Sequence, residues 1–147
     1  MGLSHGGFGS KLHLATDAGG MPTGFVLTAG FRNECPTFGQ LLEVVRRRTR
    51  RRLPPRLAAD KGYSSDAIRH WLARRGVEAV IPMRHNEHVR DRPMFDKRAY
   101  RGRNVVERCV GRLKNFRRIA TRYEKLAGNF AGMITLAMIV LYLRMPL

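Results

Sequence analysis

This sequence is poor in the features that mark secreted, disulfide-built or membrane-embedded proteins. It has two cysteines, Cys35 and Cys109, in 147 residues. They lie far apart and follow neither a zinc-ligand nor a disulfide-framework spacing, so they read as reduced thiols of a cytoplasmic protein. Residues 1–10 are glycine-rich rather than basic and then apolar, which predicts no secretory signal. The longest apolar run, residues 133–143, is interrupted only by Thr135. At about 1.5 Å of rise per residue it is too short to span a bilayer, so it predicts a core-covering helix rather than a membrane or dimer element. Acidic residues are scarce too, 11 against 28 lysines and arginines, for a net charge of +17. Such a surface is expected to attract polyanions, with nucleic acid foremost. A bias toward GC-rich codons accounts for 23 arginines against 5 lysines, but not for the excess over acids.

With 44% apolar residues the chain has enough for one core, and no internal repeat or linker divides it. Residues 11–16 alternate around Leu12 and Leu14. Asp17-Ala18-Gly19-Gly20 then signals a turn before the β-rich run 23–28, which together predict a hairpin. Phe38, Leu41, Leu42 and Val45 keep helical spacing up to the arginine run 46–52, and Pro54-Pro55 is expected to stop that helix. Residues 56–59 predict a short strand that ends at Asp60. Ser64 or Ser65 is expected to cap a helix to about Arg75, with Ile68, Trp71 and Leu72 buried and Gly76 ending it. Residues 77–81 predict another strand. Residues 1–8 read as a flexible start and 84–95 as an exposed loop. From about Arg98 the pattern is helical to Glu124, and a further helix follows Gly128. This order predicts an α/β domain, a mixed sheet flanked by helices.

Chemistry concentrates at two places. At about 100° per residue, Tyr100, Arg103, Glu107 and Lys114 fall within a band of about 60° on one helix, a carboxylate among three groups able to bind phosphate. Val106, Cys109, Val110, Leu113 and Phe116 form a separate stripe. By spacing alone, a solvated face with charge pairs three or four residues apart is the more economical reading. The second place is Asp60, a carboxylate just past the end of a buried strand, where open α/β sheets place ligands. A turn or cap aspartate is the competing reading. Lys61, Gly62 and Tyr63 add a cation, a flexible backbone and an aromatic ring.

Several stretches together carry a family resemblance. They are Gly6-Gly7-Phe8 before Lys11-Leu12-His13-Leu14, Ala59-Asp60-Lys61-Gly62-Tyr63-Ser64, Val80-Ile81-Pro82, and the set Tyr100, Arg103, Glu107 and Lys114. In combination they resemble the DDE transposases of bacterial insertion sequences. The last set matches the signature Y-(2)-R-(3)-E-(6)-K at every interval. Asn104-Val105-Val106 before Glu107 and Ile119-Ala120-Thr121-Arg122-Tyr123 after it resemble the insertion-sequence-five branch of the insertion-sequence-four/five superfamily. The resemblance runs from about Gly6 to Leu143.

It implies a ribonuclease-H-like fold in which three carboxylates hold two divalent metals, Mg²⁺ or Mn²⁺. Asp60 corresponds to the family's second acid and Glu107 to its third. The implied reactions are phosphodiester hydrolysis at the element's end and attack of the freed 3′-hydroxyl on target DNA. Tyr100, Arg103 and Lys114 would contact the DNA backbone of the element's terminal repeats.

The family's first aspartate lies on a strand upstream of the segment matching Gly6, and Asp17 matches the family's hairpin turn, where its role is local. The chain is therefore expected to be a C-terminal catalytic portion, a single partial domain over 1–147 that lacks the first, central strand and is inactive alone. An upstream-frame transposase segment is one partner that would complete it, and a homo-oligomer is left open. The alternative is a DNA-binding, non-catalytic regulatory or remnant fragment. The arginine run 46–52 reads as a solvated face or a target-DNA contact. His85 and His88 read as loop residues rather than metal ligands.

Overall fold

Alternation in the first thirty residues folds as its period dictates. The structure is a computed structural model that describes residues 2–4, 7–49, 52–84 and 95–145. The backbone divides into two compact units, Met1–Arg32 with Asn104–Leu147, and Asn33–Arg103.

In the first unit, strands β1 (Gly2–Ser4), β2 (Gly7–Thr16) and β3 (Pro22–Ala29) form an antiparallel sheet in that order. The hairpin is longer than its alternating core suggested, and β1 pairs with Gly7–Gly9. Asp17 has the local role expected of it: Oδ1 accepts the Met21 amide at 2.8 Å and closes the turn. Leu12 faces Leu27 and Leu14 faces Phe25 across the register. These four pack on a core of Cys109, Leu113, Ile119, Phe130, Ile134, Ala137 and Met138. That core comes from the last three helices of the chain, α4 (Asn104–Lys114), α5 (Arg117–Ala120) and α6 (Ala127–Leu143).

Helix α6 covers the core as expected, burying Phe130, Ile134, Ala137 and Met138. Its other side leaves Leu136, Ile139 and Leu143 exposed. Among the described residues no helix is long and apolar enough to cross a membrane.

Cys109 lies fully buried in this core as a free thiol. Burial pushes its pKa above the ordinary value, against the opposing charge of Arg112 and with a smaller contribution from Asp17. A raised folded pKa gives stability that is complete below the unfolded value and is lost as pH rises. The chain should therefore weaken toward urea between pH 8 and pH 10 more steeply than Cys109→Ala does. Parallel slopes for the two proteins would remove the thiol from this account.

In the second unit, α1 (Phe38–Arg48), β4 (Arg56–Ala58), α2 (Asp66–Ala73), β5 (Glu78–Val80) and α3 (Lys97–Arg101) follow in order. Strands β4 and β5 pair in parallel, Arg56 opposite Glu78 and Ala58 opposite Val80. Phe38, Leu42, Ile68, Leu72, Val77 and Ile81 form the core. Trp71 is half-buried beside it, edge-on to Phe38, with the Arg75 guanidinium 3.7 Å over its ring.

Four expectations need correction here. The α1 helix stops before the prolines: the Thr49 hydroxyl bonds Val45 O at 3.1 Å and Arg52 O at 2.8 Å, so the backbone turns away after Arg48. Ser65 occupies the N-cap of α2 but makes no side-chain cap bond, while Ser64 is buried and accepts from Arg69 at 2.6 Å. The helix expected from Arg98 to Glu124 is three helices. Gly102 and Arg103 bond the carbonyls three residues back, Ala99 O and Tyr100 O, which tightens the chain out of α geometry between α3 and α4. Asn115 and Phe116 do the same after α4. The strands form two small sheets, one per unit, rather than one mixed sheet. Apart from Arg84 and Phe95, the loop expected over 84–95, with His85 and His88, lies outside the described residues.

Candidate functional site

The parallel pairing of β4 and β5 sends both chains out of the sheet at the same edge, the side on which such sheets collect ligands. Asp60 leaves β4 in extended conformation and opens a 3-10 turn, Lys61–Tyr63. Its Oδ1 accepts the Lys61 amide at 2.6 Å, and its backbone carbonyl accepts the Tyr63 amide at 2.9 Å. This is the cap geometry that the competing reading of Asp60 foresaw, and it uses one carboxylate oxygen. The other, Oδ2, lies 3.8 Å from Arg103 Nη1, with the aspartate side chain 53% exposed.

Arg103 is held in turn by Tyr100, whose ring lies 5.4 Å beneath the guanidinium carbon. Phe95 packs 5.2 Å from that ring. Asp96 caps α3 by accepting the Ala99 amide at 2.8 Å. That bond, aided by the nearby Arg56, holds its carboxyl below the usual carboxylate range. So Asp60, Tyr100 and Arg103, chosen from the sequence, come together in the second unit. An exposed pair of this kind contributes at most about 1 kcal/mol, so the contact says more about placement than about stability.

Around Asp60 opens a cleft of about 630 Å³ lined by Glu34, Lys61, Gly62, Met83 and Arg84. Sequence reasoning passed over Glu34, Cys35 and Arg84. The Glu34 carboxylate lies so close to Gly62 that a Cβ there would meet it at 2.7 Å. Cys35 Sγ donates to Gly62 O at 3.2 Å. Arg84 donates to Lys61 O at 3.1 Å and to Gly62 O at 2.6 Å. Burial pushes the Tyr63 phenol far above its ordinary pKa, and the negative charges of Glu34 and Asp60 add to the effect. The sign that could have pointed to Arg84 is its position shortly after β5, whose partner strand ends at Ala58, just before Asp60.

Glu107 and Lys114 belong to the first unit, on α4. Seven residues apart, they lie within about 20° of each other around the helix. Both are exposed, while Cys109 and Leu113 face the core. The shared face therefore holds within α4 for these two, and the break at Gly102 and Arg103 removes the single continuous helix that had joined all four.

The family model of the Transposase DDE domain matches residues 4–142. This chain belongs to the DDE transposase family. A Brucella ovis protein named as a proposed transposase for insertion sequence element IS6501 is 31% identical over 135 residues, 92% of this chain and 98% of the relative. A Burkholderia cepacia protein named as a proposed transposase for insertion sequence element IS402 is 36% identical over 124 residues, 81% of this chain and 56% of the relative. No solved structure matches this chain.

DDE transposase domains use divalent metal ions. The donor chemistry of Asp60 fits one: a hard carboxylate oxygen, half-exposed on an open cleft. Among the described residues, no group of three or more His, Cys, Asp or Glu comes together to hold a metal.

Proposed function

We propose that this chain contributes to DNA transposition by metal-dependent phosphodiester hydrolysis and strand transfer at insertion-sequence ends, supplying Asp60 and Glu107 as two of the metal-holding carboxylates. We place it in the insertion-sequence-five branch, on a ribonuclease-H-like framework. The observation that carries the reading is the Asp60 carboxylate on an open cleft with Arg103 at 3.8 Å. A bare carboxylate repels a phosphodiester, and an adjacent guanidinium offsets that repulsion while offering a fork to phosphate oxygens. When bound, Mg²⁺ or Mn²⁺ stabilises the attacking and leaving oxygens of an in-line displacement. Tyr100 keeps the Arg103 fork in place, and Lys114 adds a cation on the Glu107 face of α4. These contacts position double-stranded DNA, terminal repeat or target, without reading its bases.

A second reading is DNA binding without cleavage. It is favoured by the net charge of +17.

Iron separates the two. Fe²⁺ with ascorbate and peroxide, loaded in place of Mg²⁺, should cut the polypeptide near Asp60 and near Glu107, and excess Mg²⁺ should suppress both cuts. Cutting at one position alone sinks the two-carboxylate assignment. Salt-sensitive DNA binding without site-specific cutting leaves the second reading.

A further inference from the structure

We propose that Arg84 is the positioning residue for Asp60, a guanidinium clamp that fixes the turn from which the carboxylate projects. The inference rests on the reading of Asp60 as a metal-holding carboxylate.

A carboxylate is only as well aimed as the backbone that carries it. Asp60 Oδ1 is tied to the Lys61 amide, so its direction follows the Lys61–Tyr63 turn. That turn is short, and it lies on an open cleft rather than inside the core. Its own backbone contributes bonds from the Tyr63 amide to Asp60 O and from the Ser64 amide to Lys61 O. Arg84 adds to them. Nε donates to Lys61 O at 3.1 Å and Nη2 to Gly62 O at 2.6 Å, so one planar group spans two successive carbonyls. From another side, Cys35 Sγ donates to Gly62 O at 3.2 Å, with Arg84 Nη2 3.9 Å from the same sulfur.

Hydrogen bonds from a charged donor are about twice as strong as neutral ones, and the rigid fork orders both carbonyls together. An ammonium at this position lacks the second prong. Through these bonds to the Lys61 and Gly62 carbonyls, Arg84 acts on Asp60 by way of the turn. Residues that orient a metal ligand in this way typically change metal affinity about 10- to 100-fold when removed.

The test uses the full chain, hydrogen exchange and Mn²⁺ binding. In Arg84→Ala, the amides of Tyr63 and Ser64 should exchange at least about 10-fold faster, while those of α1 and α2 keep their rates. Mn²⁺ affinity should fall about 10-fold. Millimolar guanidinium should restore both, and methylammonium neither. If the alanine variant loses its circular dichroism spectrum, Arg84→Lys decides: it should fold, yet show the same faster exchange. Unchanged exchange at Tyr63 and Ser64 in a folded variant overturns the clamp. Faster exchange with unchanged Mn²⁺ affinity overturns its role in positioning. Asp60→Asn is the control: if it binds Mn²⁺ like the parent chain, the reading of Asp60 falls, while the exchange data still judge the clamp.

Discussion

Mn²⁺ binding falls by at least about 100-fold in Asp60→Asn and in Glu107→Gln, beyond the range of residues that merely orient a ligand, while DNA affinity holds or rises. The two halves of this result have different origins. A carboxylate converted to an amide keeps its shape but loses the charge that a hard cation requires. The same change relieves repulsion against phosphate on a chain whose net charge is +17. Electron paramagnetic resonance of free Mn²⁺ measures the first, and filter binding to terminal-repeat DNA at two salt concentrations the second. A variant that loses both together has lost structure. One that keeps Mn²⁺ affinity shows that its carboxylate is no ligand. Arg103→Gln is the useful companion, because it should weaken DNA binding and lower the salt slope by about 1 without lowering Mn²⁺ affinity.

The largest losses of stability are expected from Leu72→Ala and Ile134→Ala. Both side chains are fully buried, Leu72 among Phe38, Leu42 and Ile68, and Ile134 among Cys109, Leu113 and Phe130. Emptying such a site typically costs 2–5 kcal/mol, roughly the transfer free energy of the lost carbons plus the cavity left behind. Against a typical stability of about 5–15 kcal/mol, either change is enough to shift the urea midpoint strongly. Because the two residues lie in different units, hydrogen exchange should speed up mainly within residues 33–103 for Leu72→Ala. For Ile134→Ala it should speed up mainly outside them. Equal loosening of all helices by both variants would show a single cooperative unit instead.

Much of the fold was legible because its signals are local. The alternation of Leu12 and Leu14 against Phe25 and Leu27 needs only the period of a strand and a turn aspartate. The stripe of Ile68 and Leu72 needs only the period of a helix, and Gly76, at φ 65°, ends α2 as a left-handed glycine does.

What was hidden depends on bonds that periodicity does not register. The residues from Tyr100 to Lys114 stay in phase with a single helix, so the tightening at Gly102 and Arg103 leaves no trace in the pattern beyond the glycine itself. α1 ends at Arg48, where the Thr49 hydroxyl bonds Arg52 O, well before the prolines that seemed to stop it. At the site, Asp60 stood out because a strand ends there. Glu34, Cys35 and Arg84 reach its turn from more than twenty residues away in either direction, and only the parallel pairing of β4 with β5 shows why Arg84 arrives.

The end of α1 has a consequence for any attempt to locate the DNA-binding surface. Arg46, Arg47 and Arg48 occupy the last turn of that helix, where the peptide dipoles leave partial negative charge. Arg46 and Arg47 also reach back to Glu43, at 3.5 and 3.3 Å. Their charge thus stabilises the helix end that carries them. Reversing it to glutamate would fray the helix as well as repel phosphate, and a fall in DNA affinity would mix the two. Glutamine at these positions removes the attraction to phosphate without adding repulsion at the helix end, so charge removal rather than charge reversal is the informative way to map this surface.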